Sequence, residues 1–185
     1  MAALAGATAT PASAAPDDVL VVGDSLAVGT EPYLAPMLPG RNIVTAIKSG
    51  ITTPIGMEYI RRKLHVITPQ TVVISLGSND GSDPHRFADR LRRTMELLPD
   101  DSCVIWATII RPARKGAYAG LNRVLNQARR DDPRIVLIDW QHAVTQGSVF
   151  LPDALHPDAA GFHYRAEMIA NAVNTECVAA GLDGS

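Results

Sequence analysis

The apolar and polar positions of this chain follow two alternating periods. Five short runs rich in β-branched residues, at 19–22, 43–47, 71–76, 103–109 and 135–138, are separated by stretches with helical spacing. Short apolar runs bounded by turn residues predict strands, and strands that alternate with amphipathic helices predict βαβ units around a parallel sheet. Most positions in each run are apolar, as in strands covered on both faces. One intervening stretch sets Phe87, Ala88, Leu91, Met95 and Leu98 on an apolar stripe with Arg90, Arg92 and Arg93 between them. A closing helix over about 158–179 places Phe162, Ala166, Ile169, Ala170 and Val173 on one side. The pattern predicts an α/β fold with a five-stranded parallel sheet. No repeat or low-complexity linker follows residue 16, so 17–185 reads as one domain.

Composition narrows the picture only slightly. With 46% hydrophobic and 19% charged residues in 185, the balance is that of an ordinary globular domain. A formal net charge of -2 offers no basic surface, so nucleic acid is not an expected partner. The longest apolar run, around 104–110, is far short of a bilayer-spanning helix, and no integral membrane segment is expected. The first sixteen residues have no charge, eight alanines and the small-x-small sequence Ala12-Ser13-Ala14. They predict the remnant of an export signal, and hence a secreted or cell-envelope protein, with a disordered Ala-rich leader as the alternative. Cys103 opens the fourth strand and Cys177 ends the closing helix, which puts both at the edge away from the carboxyl ends of the strands. The pattern leaves open a disulfide, as suits an exported protein, or two buried free thiols.

In open α/β sheets ligands bind beyond the carboxyl ends of the strands. The first strand ends in Gly23-Asp24-Ser25-Leu26, the second in Lys48-Ser49-Gly50 and the third in Gly77-Ser78-Asn79-Asp80; Asp153-Ala154-Leu155-His156 directly precedes the closing helix. In order and spacing these four blocks resemble those of the SGNH (GDSL-type) hydrolases, and the resemblance runs from about residue 19 to 173. It implies a flavodoxin-like three-layer α/β/α sandwich and the hydrolysis of esters or thioesters, with acyl transfer in some members.

The resemblance carries roles over residue by residue. Ser25 becomes the nucleophile, since a hydroxyl attacks only when a neighbouring base takes its proton. His156 becomes that base, held through its other ring nitrogen by Asp153, a separation of three residues that lets the carboxylate fold back. The backbone N–H groups of Ser25 and Gly50 and the amide of Asn79 become the oxyanion donors. Each piece also has an ordinary use, Ser25 as a helix N-cap with Asp24 as a turn former and Gly50 and Asn79 in turns, and it is the four together that point to catalysis. Gly-x-Ser-x-Gly is not matched, because Asp24 precedes the serine and Ala27 sits two places after it. Asp139-Trp140-Gln141-His142 repeats the Asp-x-x-His spacing but does not abut the closing helix, so His142 is expected on a helix surface. His65, His85 and His163 have no such partner.

No cofactor is expected, since no Gly-x-Gly-x-x-Gly follows the first strand, and no metal-binding spacing is present. The reading is a serine esterase acting on short acyl esters through an acyl-enzyme, its substrate a small acyl ester or an acylated carbohydrate. The alternatives are an O-acyltransferase or deacetylase of cell-envelope carbohydrate and, less favoured, a non-catalytic carbohydrate-binding module. The loops at the carboxyl edge are mostly small or polar. Arg111, Arg114 and Lys115 after the fourth strand suit a polar or acidic leaving group, while Val149, Phe150, Leu151 and Leu155 are the one stretch able to line a modest acyl pocket.

Overall fold

The computed structural model describes residues 17–111 and 118–178. The Ala-rich leader, and Arg114 and Lys115, lie outside the described residues.

Strands β1 (Asp18–Gly23), β2 (Asn42–Ile47), β3 (Thr71–Ser75), β4 (Cys103–Ala107) and β5 (Ile135–Ile138) form one sheet in the order β2-β1-β3-β4-β5, every neighbouring pair parallel. Side chains alternate between faces along a strand, so a strand buried on both sides feeds two cores. Val19 and Val21 join one core while Leu20 and Val22 join the other, and Cys103 and Ile105 separate from Val104 and Trp106 in the same way. The fourth strand is shorter than its apolar run suggests. Beyond Ala107, the N–H and C=O of Ile109 leave the ladder for the side-chain amide of Asn122, at 2.7 Å each.

Three helices cover one face: α3 (Thr53–Leu64), α4 (Pro84–Met95) and α5 (Ala119–Asp131). The stripe of Phe87, Leu91 and Met95 is buried there as the periodicity predicts, and the arginines between them pair with Asp89, Glu96 and Asp80. The other face carries the short α1 (Ser25–Thr30) and α2 (Leu34–Met37), then α6 (Trp140–Thr145) and the closing α7 (Ala159–Asn171), which continues as a π-helical turn over Ala172–Cys177. Asp158, whose carboxylate accepts the Gly161 N–H, caps the start of α7. This is the three-layer flavodoxin-like sandwich expected. No helix among the described residues is long and apolar enough to cross a membrane.

Cys103 and Cys177 are joined in a disulfide, one of the two outcomes left open by the sequence. Sequence placed both at one edge but left their lateral distance unknown. The strand order decides it, because α7 packs across the sheet so that its end meets the start of β4, with the two Cα atoms 5.6 Å apart.

Candidate active site

The site forms where β1, β2 and β3 end. Gly23 closes β1 at a point where a Cβ would lie 2.5 Å from the Cβ of Ala27 and 2.8 Å from the Ser75 carbonyl oxygen, so only glycine lets the chain turn this tightly. Asp24 then caps α1, its Oδ1 accepting the Leu26 N–H at 3.0 Å, while its own N–H donates to the Ser75 carbonyl at 3.1 Å. That turn presents Ser25, half-buried, at the rim of the sheet.

Ser25 Oγ lies 2.7 Å from His156 Nε2, and His156 Nδ1 lies 2.7 Å from Asp153 Oδ2. The three residues that sequence singled out, 131 positions apart at the extremes, form one hydrogen-bonded chain. The loop before α7 is shaped for it. Ala154 takes a left-handed conformation with φ 60°, which an alanine adopts only at a cost in strain. This bend folds the Asp153 carboxylate back, so that Oδ1 accepts the N–H groups of Leu155 (3.0 Å) and His156 (2.7 Å) while Oδ2 faces the ring. The hydrogen bond from the His156 ring, followed by the backbone N–H of His156, lowers the Asp153 pKa to about 2. An ionised Asp153 favours the tautomer with the proton on Nδ1, which leaves Nε2 free to accept from Ser25.

The other Asp-x-x-His segment does not reach the serine. Asp139 caps α6, accepting the His142 N–H at 3.0 Å and the Thr108 hydroxyl at 3.1 Å, and the His142 ring is exposed. The same spacing therefore builds the same backbone cap twice. The difference is tertiary, since only one of the two rings meets the end of β1.

Block two is tied to block one through the Lys48 N–H, which donates to the Gly23 carbonyl at 3.0 Å. Gly50 has φ 78°, and a Cβ there would meet nothing within 4 Å. Glycine is thus required by conformation, and the space beside it is open. Neither the Ser25 nor the Gly50 N–H finds an acceptor among the described residues. Asn79 differs, because its Nδ2 donates to Asp24 Oδ2 and to the Ile51 carbonyl, both at 3.1 Å. Both amide hydrogens are engaged, so an oxyanion would have to share or displace one of these acceptors.

Two residues of the site went unread in the sequence. Asp80 orders block three against α3, its Oδ1 accepting the Thr53 N–H at 2.8 Å and lying 3.4 Å from Arg90 Nη1. Arg165 lies beneath the turn of Ser25, 1% exposed, its Nη2 donating to Ser75 Oγ at 2.9 Å. Its signal was a charge at a stripe position of the closing helix, three residues after Phe162 and four before Ile169. Asp24 is equally buried, and that burial pushes its carboxyl up to about 6, while the Leu26 N–H, Arg165 and His156 pull it down.

The stretch read as an acyl pocket is mostly unavailable for one. Val149 is buried in the core and Leu151 packs against it, whereas Phe150 is 69% exposed. Of the three cations after β4, Arg111 is described, and it donates to the Ser78 carbonyl at 3.1 Å. No group of three or more potential metal ligands occurs among the described residues.

No family model matches the chain. It is 29% identical over 178 residues to an arylesterase of Vibrio mimicus, an alignment that covers 86% of this chain and 89% of that protein. Among solved structures it is similar to the C-terminal catalytic domain of the peptidoglycan O-acetyltransferase OatA of Streptococcus pneumoniae, with TM-score 0.69, 24% identity and coverage of 90% of this chain and 95% of that one. It is also similar to a lipase/acylhydrolase of Enterococcus faecalis, with TM-score 0.73, 18% identity and coverage of 86% and 96%. In fold this chain is similar to these acyl-ester enzymes, and in the order of its sequence blocks it resembles the SGNH (GDSL-type) hydrolases.

Proposed function

We propose that the protein is an extracytoplasmic serine esterase that hydrolyses short-chain acyl esters through an acyl-enzyme formed on Ser25. The observation that carries this reading is the hydrogen-bonded chain from Ser25 Oγ to His156 Nε2 and from His156 Nδ1 to Asp153, 2.7 Å at each link. His156 takes the hydroxyl proton as Ser25 attacks the acyl carbon, and Asp153 stabilises the imidazolium that results. The negative oxygen that develops is met by the N–H groups of Ser25 and Gly50, and by one hydrogen of the Asn79 amide given up by the Ile51 carbonyl. His156 then protonates the departing alkoxide. Water, deprotonated by the same nitrogen, attacks the acyl-enzyme and releases the acid.

The disulfide supports the location, because such bonds persist in oxidising compartments. The likeness to an O-acetyltransferase domain favours a second reading, in which a carbohydrate hydroxyl replaces water in the last step. A non-catalytic binding module is disfavoured, since binding alone has no use for a serine, histidine and aspartate in hydrogen-bonded series.

The test is a panel of p-nitrophenyl esters assayed with the native protein and Ser25→Ala. The native protein turns over acetate esters, and the variant loses at least about 10³-fold while keeping its fold, because only a hydroxyl is removed. A variant with near-native turnover overturns the reading. Adding a carbohydrate acceptor and quantifying acylated product against free acid separates transfer from hydrolysis.

A further inference from the structure

A guanidinium shut away from water loses its hydration and is retained only where something offsets that loss. Arg165 is shut away in this sense. Its Nη2 reaches Ser75 Oγ, its plane lies over the Trp140 ring at 4.6 Å, and Nε and Nη1 have no partner among the described residues. A methionine or leucine would fill this position of the apolar stripe without the desolvation. Arg165 forms no contact ion pair among the described residues, yet it lies close enough to the buried Asp24 carboxylate for each charge to act on the other. Ser75 links the two, its carbonyl accepting the Asp24 N–H and its hydroxyl accepting from Arg165.

We infer that Arg165 is a positioning residue whose buried charge keeps Asp24 ionised, and that ionised Asp24 holds the Ser25 turn and the Asn79 amide in their working arrangement. The inference rests on the catalytic reading above. Asp24 accepts the Leu26 N–H with one oxygen and the Asn79 amide with the other, so it joins block one to block three. A protonated carboxyl turns an O–H toward one of these donors, and that link is lost. Among the described residues, few groups face the carboxylate. Arg165 comes from α7 and His156 from the loop before it; Ser75 from β3, Asn79 from the loop after β3 and the Leu26 N–H from α1 are neutral. Burial already holds the carboxyl near 6, so without Arg165 it titrates higher still and is partly protonated at neutral pH.

The experiment measures kcat and KM for p-nitrophenyl acetate from about pH 6 to 9 in the native protein, Arg165→Gln, Arg165→Lys, Asp24→Asn and the double variant Asp24→Asn/Arg165→Gln. Arg165→Gln is expected to lower kcat by roughly 10- to 100-fold near pH 6.5 with little change in KM, part of what a lost oxyanion donor costs. That deficit shrinks as the pH rises, because alkali restores the carboxylate, and Arg165→Lys keeps the native profile. In the Asp24→Asn background, adding Arg165→Gln has no pH-dependent effect, which separates action through Asp24 from action on His156. A ratio of Arg165→Gln to native activity that is constant with pH overturns the inference, as does native kcat in Asp24→Asn. Should Arg165→Gln fail to fold, Asp24→Asn/Arg165→Met, with both charges removed, is expected to fold and to match Asp24→Asn; activity far below it overturns the inference. Ser25→Ala in the same assay tests the catalytic reading separately, since turnover retained there defeats that reading whatever Arg165 does.

Discussion

At the scale of single residues, the contrast between His156 and His142 decides most. Both follow an aspartate by three positions and both donate a backbone N–H to it, yet only His156 faces Ser25. His156→Ala is therefore expected to cost nearly as much as Ser25→Ala, roughly 10³-fold or more in kcat, while His142→Ala stays near native; side-by-side kinetics check the ranking. Asp24 gives a second expectation, with its sign set by the direction of its shift. Its folded pKa of about 6 lies above the ordinary 3.8, so the native state holds an extra proton between those values. The corresponding stability is present below about pH 4 and is lost as the pH rises through about 6, an effect on the order of 2–3 kcal/mol. Asp24→Asn removes that dependence. It is expected to unfold at a higher temperature than the native protein at pH 8 and to show a smaller advantage at pH 5, as thermal melts at the two pH values would show. A residue that is less stable charged and yet kept charged fits a site where stability is given up for function.

At the scale of elements, the loops at the carboxyl edge set what can bind. Long-chain specificity needs an apolar groove, since each buried CH₂ contributes about 0.8 kcal/mol. Val149 and Leu151, the residues best suited to build one, face the core instead, and Gly50 sits in open space. Acetyl to about butyryl esters are thus expected to be preferred, and kcat/KM measured along acetate, butyrate, octanoate and palmitate esters is expected to fall with length. A rise toward octanoate would show that the exposed Phe150 and its neighbours form a groove with the acyl chain present.

At the scale of the whole molecule, the disulfide ties the closing helix to β4 at the edge opposite the site, across a sequence separation of 74. Removing a constraint over so long a loop costs about 4 kcal/mol if the chain-entropy account holds, or roughly 10 °C in Tm for a domain of this size. Cys103→Ser/Cys177→Ser is expected to melt lower by about that amount and to keep native ester hydrolysis at low temperature. Loss of activity below its melting transition would show that the far edge is coupled to the site.

The strands, the closing helix and the four blocks were legible in the sequence because each depends on local physics. Period-two and period-3.6 burial, a glycine where no Cβ fits and an aspartate that caps the next turn all act over a few residues. Their order along the chain, met by a resemblance to a known family, is what sets Ser25, Asp153 and His156 in one candidate site at the level of sequence. What the sequence left open depends on lateral position within the sheet. The order β2-β1-β3-β4-β5 brings Cys177 to Cys103, turns Val149 and Leu151 inward and carries the Arg165 charge beneath Asp24. The periodicity of a helix shows that a position is buried, but only packing shows what it is buried against. A charge on an apolar stripe therefore acquires its meaning only from the tertiary structure.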